Sequence, residues 1–134
     1  MHPRVLLDTH ILLRWRAAPQ KLSRDQVRVL GEMGRRHETA AISAMTLLEL
    51  ATLFSRGALL HHVTLDELFA DLEDDSVFRI LPLSVEVAKE SSLLRNVLRD
   101  PADCVIVATA RVHGLRLLTS DQRISGSNLV STVA

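Results

Sequence analysis

The chain holds a single cysteine, Cys104, in 134 residues. An internal disulfide is therefore impossible, and the expected setting is reducing and cytoplasmic. No apolar run approaches the roughly 18 residues of a membrane span, so no membrane role is expected. The first ten residues, MHPRVLLDTH, lack the apolar stretch and cleavage site of a signal peptide. Aromatic residues make up only 3%. Trp15, Phe54, Phe69 and Phe78 all fall in helix or strand patterns, which leaves no base-stacking platform. Excess charge is missing too: 16 basic and 16 acidic side chains cancel. A broad basic surface that coats nucleic acid is thereby excluded. Lysine is nearly absent, with Lys21 and Lys89 the only two; the other fourteen basic residues are arginines, whose planar fork suits bidentate phosphate contacts. There is no internal repeat, low-complexity tract or linker.

What is present is a core. Apolar residues reach 47%, enough for one domain over residues 1–134. Short apolar runs at Val5-Leu6-Leu7, Thr39–Ile42, Phe78–Leu81, Leu115–Leu118 and Leu129–Val133 read as strands. Such runs do not alternate with polar residues, which fits a parallel sheet covered on both faces. Helix signals fill the gaps. Ser23-Arg24-Asp25-Gln26 and Thr64-Leu65-Asp66-Glu67 have the spacing of capping boxes. Ser43 can cap a helix carrying Leu47, Leu50, Ala51 and Phe54, ending near Gly57. Ser84 can cap another with Val87, Ala88, Ser91 and Leu94 inward. Pro101 opens a helix that Gly114 stops. Within it, Cys104 to Val107 would also suit a strand, but the flanking Pro and Gly and the length of the run favour a buried helix. Strands alternating with helices give a three-layer α/β/α sandwich around a parallel five-stranded sheet.

Four acids interrupt or border apolar segments: Asp8, Glu49, Asp103 and Asp121. In a parallel α/β unit, strand C-termini and helix N-termini share one edge of the sheet, where ligands bind. Asp8 directly follows the first strand, and Asp121 follows the fourth after Thr119 and Ser120. Asp103 falls in the first turn of its helix and Glu49 in the second turn of another, with side chains leaning toward the N-terminus. Four distant parts of the chain can thus deliver four carboxylates to one pocket. At about 5 Å and an effective dielectric near 20, each pair would repel by roughly 3 kcal/mol. Such a cluster persists if protons or a cation neutralise it, and an all-oxygen ligand set selects a hard cation, Mg²⁺ with Mn²⁺ able to substitute. A hard cation there can activate a water and neutralise charge on a phosphodiester. The residues alone therefore point to a metal-dependent phosphodiesterase or nuclease.

Smaller signals are of mixed value. Asp100 before Pro101 is a good N-cap and stands beside the candidate acids. His10 lies two residues from Asp8 and reads as the start of a helix. His61-His62 reads as a solvated pair in an interhelix loop, and Cys104 as a small buried residue. Arg14, Arg16, Arg99 and Arg123 flank the acid-bearing segments and are candidate contacts to a substrate phosphate, with a solvated face the alternative.

Four stretches, LLDTHILLRW, ISAMTLLELATLFSRGAL, RDPADCVIVATA and LLTSDQRI, resemble the PIN-domain ribonucleases, and within them the VapC-type toxins of bacterial toxin–antitoxin systems. They span nearly the whole chain in the family's order. The resemblance implies Mg²⁺-dependent endonuclease activity on RNA, homodimerisation and inhibition by a small cognate antitoxin. It implies that Asp8, Glu49, Asp103 and Asp121 form the catalytic metal site. Asp8 and Asp103 would be the most direct ligands, with Glu49 and Asp121 binding a second ion or orienting the attacking water. Thr9 and Thr119 would hold these acids by hydrogen bonds. The chain departs from the family where Cys104 replaces a frequent basic residue, and where Leu53 and Phe54 replace a Lys or Arg past the glutamate. Rival readings are a housekeeping RNA-processing PIN nuclease without an antitoxin, a catalytically idle antitoxin-binding module, and a phosphoacceptor signalling domain. The last needs a lysine after the fourth strand, and none is there.

Overall fold

The computed structural model describes residues 3–55 and 62–134. Gly57 and His61 lie outside them. Five strands, β1 (Val5–Leu7), β2 (Ala40–Ser43), β3 (Phe78–Leu81), β4 (Arg116–Leu118) and β5 (Thr132–Val133), form one sheet in the order β3-β2-β1-β4-β5. Every pairing is parallel, with Leu6 opposite Ala41 on one side and Leu117 on the other. The helices among the described residues are α1 (Thr9–Ala17), α2 (Arg24–Arg35), α3 (Ala44–Ser55), α4 (Leu65–Leu72), α5 (Val85–Leu93), α6 (Pro101–His113) and α7 (Gln122–Ser125). None is long and apolar enough to cross a membrane.

The two layers follow from strand pleating, because successive side chains point to opposite faces. Val5, Leu7, Ala40 and Ile42 pack with Ile11, Leu30, Leu50, Leu68 and Leu72 of α1 to α4. Leu6, Ala41 and Leu117 pack on the other face with Val87 of α5, Ile106 of α6 and Ile124 of α7. The result is the α/β/α sandwich that the alternation of strands and helices implied.

Helix α6 is buried continuously from Cys104 to Ala110, which explains its β-branched content: a helix enclosed on all sides is apolar all round. Asp100 caps it through Ala102 N at 2.8 Å, Pro101 takes the first position, and Gly114 ends it at φ 65°. That left-handed conformation suits glycine. The capping box at Ser23 is complete, with Ser23 Oγ accepting from Gln26 N and Gln26 Oε1 from Ser23 N. At Thr64, only the half in which its hydroxyl accepts from Glu67 N is present among the described residues. Ala88 is exposed, although Val87 and Leu94 of the same segment are buried. The last strand is shorter than the run Leu129–Val133, because pairing with β4 begins only at the Ser131 carbonyl. Leu129 and Val130 instead pack against the α5–α6 layer.

The chain leaves β1 toward β2 and β3 on one side and returns to β4 and β5 on the other. The strand order therefore reverses between β1 and β4. A crevice forms beyond the strand C-termini at such a switch point, and the chain places Asp8 and Thr119 there.

Candidate active site

The crevice is a pocket of about 310 Å³ lined by Asp8, Thr9, His10, Arg14, Glu49, Asp100, Asp103, Ser120, Asp121 and Arg123. All four acids singled out from the sequence are there, each delivered by a different element. Asp8 leaves β1 and caps α1, its Oδ1 accepting from Thr9 N at 2.8 Å. Its Oδ2 accepts from Thr119 Oγ1 at 2.7 Å. Glu49 rises from the second turn of α3, and its Oε1 accepts from Thr9 Oγ1 at 2.6 Å. The Thr9 hydroxyl has one proton. With that proton given to Glu49, the 3.0 Å contact between Thr9 Oγ1 and Thr46 Oγ1 has Thr46 as donor. A relay from Thr46 through Thr9 thus fixes Glu49.

Asp103 stands in the first turn of α6, its side chain 16% exposed. Its carboxyl is pushed up to about 7, first by burial and then by the charges of Asp100, Asp8, Asp121 and Glu49. Burial also raises Glu49, against the stabilising hydrogen bond from Thr9. Asp121 goes the other way. The Arg123 guanidinium holds its carboxyl below the ordinary value, through Nε to Oδ1 at 3.2 Å and Nη2 to Oδ2 at 2.9 Å. Asp121 also caps α7 through Arg123 N. Asp100 serves two purposes, capping α6 and lining the pocket.

The four arginines separate. Arg14 and Arg123 line the pocket, and Arg14 Nη1 donates to Ser120 Oγ at 3.0 Å. Arg16 is directed elsewhere. Its guanidinium lies 4.7 Å from the Trp15 ring centroid and 4.9 Å from that of Phe78, with Asp71 at 3.9 Å. Arg99 is exposed and does not line the pocket. Trp15 packs edge-on against Phe78 in the core layer. Cys104, beside Asp103, donates its thiol to the Leu98 carbonyl at 3.2 Å, and burial pushes that thiol up.

Three supporting residues escaped the sequence reading. Thr46, fully buried, precedes Glu49 by one helical turn on the same face. That spacing was the available signal. Ser120 receives both Arg14 and Gln26. Gln26, also fully buried, donates through Nε2 to Val133 O at 3.2 Å, Ser120 Oγ at 3.3 Å and Thr119 O at 3.4 Å. It ties the start of α2 to the loop that carries Thr119 and Asp121.

Carboxylate oxygens dominate the donor set, with the His10 imidazole also in the lining, hydroxyls behind and the Cys104 thiol directed to Leu98 O. That chemistry suits a hard cation. Among the described residues, no three His, Cys, Asp or Glu side chains converge closely enough to cage an ion by themselves. Mg²⁺ is ordinarily held by one or two carboxylates and completed by waters. A pocket of hydrogen-bonded acids with room for solvent meets that requirement.

Known proteins share both sequence and fold with this chain. It is 31% identical over 121 residues to ribonuclease VapC22 of Mycobacterium tuberculosis (strain ATCC 25618 / H37Rv), a match covering 90% of this chain and 88% of the relative. FitAcB from Neisseria gonorrhoeae superposes with a TM-score of 0.69 at 27% identity, covering 97% of this chain and 96% of that one. VapBC2 from Rickettsia felis, bound to a DNA fragment from their promoter, gives 0.68 at 17% identity, covering 96% of each chain. A toxin–antitoxin complex from Klebsiella pneumoniae gives 0.65 at 23%, covering 97% of this chain and 96% of that one. At those last two identities the likeness concerns the fold. The PIN domain family matches residues 5–126, and with strands, acids and relatives in agreement the chain belongs to the PIN-domain family.

Proposed function

We propose that this protein is a divalent-metal-dependent endoribonuclease and the toxin of a toxin–antitoxin pair. The observation that carries the reading is the arrival of Asp8, Glu49, Asp103 and Asp121, from four elements, at the β1/β4 switch-point pocket. The similarity to a ribonuclease supports RNA as substrate. The fold shared with a toxin–antitoxin complex supports a small antitoxin partner; a homodimer is what the resemblance to the family implies.

Asp8 and Asp103 would hold Mg²⁺, or Mn²⁺ in its place. Bound there, the ion would lower the pKa of a water and neutralise charge on the phosphodiester. Glu49, held by Thr9, orients the attacking water. Attack by the water oxygen at phosphorus forms one P–O bond and breaks the ester bond, and the proton the water gives up balances the one taken up by the leaving ribose oxygen. Arg14, fixed by Ser120 at the pocket rim, positions the strand by its phosphates. Near-zero net charge confines RNA binding to this local set.

The test is cleavage of defined RNAs by purified protein with Mg²⁺ and with EDTA. Asp8→Asn and Asp103→Asn should each lower cleavage below about 1% of the parent, a loss of two orders of magnitude or more in line with removal of a main catalytic electrostatic group. Circular dichroism of both variants should match the parent. Undiminished RNase activity in either variant would remove the site assignment. Cleavage in excess EDTA would remove the metal.

A further inference from the structure

The four acids are not equally available to an ion. The Asp121 carboxylate is engaged on both oxygens, Oδ1 by Arg123 N at 2.9 Å and Nε at 3.2 Å, and Oδ2 by Arg123 Nη2 at 2.9 Å. The same Nη2 lies 3.9 Å from Asp103 Oδ2. Arg123 thus reaches two of the four acids, and its side chain is 77% exposed at the pocket mouth. Arg14 lines the same pocket but is turned to Ser120 and touches neither acid. We infer that Arg123 is a resident counter-ion of the acid pocket, which competes with the divalent cation for Asp121 and thereby weakens ion binding.

This inference rests on the metal-ion reading of the site. A metal ligand must offer an oxygen lone pair, and a bidentate guanidinium occupies those of Asp121 in the same plane. Of the roughly four lone-pair sites of the carboxylate, Arg123 takes three, so an ion gains full use of Asp121 only when the fork lets go. The close contacts of the guanidinium all fall on Asp121, with Asp103 only at 3.9 Å, so the positive charge serves mainly one acid of the set. The pairing is local, two residues apart, so it forms without ordering a distant segment. Its exposure keeps it weak and so displaceable. Once released, the guanidinium remains at the mouth with a free fork, where an RNA phosphate would arrive. Ion entry and phosphate capture then use the same side chain in succession.

The experiment is a titration of the purified full-length chain with Mn²⁺ alone, following bound ion by electron paramagnetic resonance. Arg123→Gln should bind Mn²⁺ about two- to fivefold more tightly than the parent, the scale expected for loss of one exposed ion pair. Arg14→Gln, which removes a cation from the same pocket without freeing Asp121, should change affinity less. Because Arg123 is exposed, both variants should melt within a few degrees of the parent. Unchanged or weaker binding in Arg123→Gln overturns the inference, as does an equal gain in Arg14→Gln. Measurable but equal binding by parent and Arg123→Gln defeats only the counter-ion role. No Mn²⁺ binding by either defeats the metal reading and this inference with it.

Discussion

The Thr119 hydroxyl ties two acids together: its Oγ1 donates to Asp8 Oδ2 at 2.7 Å and accepts from Asp121 N at 3.1 Å. Thr119 is fully buried at the end of β4, next to β1. One side chain therefore sets the spacing of acids that stand far apart in sequence.

Replacement of Thr119 by valine keeps the shape and deletes both hydrogen bonds. Asp8 then loses a buried donor, and the Asp121 amide loses its acceptor. Urea unfolding should show a loss of about 1–3 kcal/mol, the cost of leaving buried polar groups unpaired. RNA cleavage should fall with it. Thr119→Ser retains the hydroxyl and should recover most of both. A serine variant as impaired as the valine would place the role in the methyl group's packing.

The acids were legible because their context is local. Asp8 and Asp121 each follow an apolar strand, Asp103 opens a helix behind a proline, and Glu49 interrupts an apolar face. The parallel α/β topology then sends all four to one edge without any knowledge of distance. Their supports were not legible in the same way. Gln26 reads as the N3 residue of a capping box, and it is one; its other role depends on Thr119 and Val133, about a hundred residues along the chain. The arginines teach a different lesson. Arg14 and Arg16 are both close to Asp8 in sequence. Two residues apart on a helix they lie about 200° around the axis, so α1 turns one to the pocket and the other to Phe78 and Asp71. The helical period was available to exclude one of the pair. Proximity in sequence did not choose which.

The raised Asp103 carboxyl makes metal-free stability depend on pH. Between about 4 and about 7 the folded chain holds a proton on Asp103 that the unfolded chain has released. Stability therefore falls as pH rises across that window. Glu49, also raised, contributes in the same direction. Asp121, lowered from 3.8, acts oppositely and only in more acid solution, where its contribution is lost as pH falls. Thermal melts in EDTA should thus show a declining melting temperature from pH 5 to pH 8, flattened in Asp103→Asn. An equal slope in that variant would place the titration elsewhere.

A divalent cation should offset that repulsion. A ligand that binds only the folded state at ten times its Kd stabilises by about 1.4 kcal/mol, a rise of a few degrees for a chain of this size. Melts at pH 7.5 with millimolar Mg²⁺ or Mn²⁺ should show that rise over NaCl of matched ionic strength, which corrects for screening. The double variant Asp8→Asn, Asp103→Asn should lose it. A shift of equal size in NaCl would assign the effect to screening.

Gln26 offers the sharpest separation of support from chemistry. Its amide is fully buried and used at both ends: Oε1 accepts from Ser23 N, while Nε2 donates toward Thr119 O, Ser120 Oγ and Val133 O. It touches no acid. Gln26→Leu fills much the same volume but leaves two backbone carbonyls and the helix N-cap amide without this partner. Unpaired buried groups of this kind cost about 1–3 kcal/mol each, relieved where water can reach them. The N-cap amide lies nearer solvent and Val133 O keeps the Thr119 amide, so the larger cost falls on Thr119 O. Two effects should follow. Unfolding in urea should shift to lower concentration at an unchanged slope. Hydrogen exchange should quicken at the Leu117 amide of β4 and the Thr119 amide just past it, which donate to the Ser131 and Val133 carbonyls, more than at Leu6 of β1, the neighbouring strand on the other side of β4. If cleavage falls further than the unfolded fraction accounts for, the loop carrying Thr119 and Asp121 has lost its position as well as its stability. Exchange that quickens uniformly across the sheet would make Gln26 a general core residue with no particular hold on that loop.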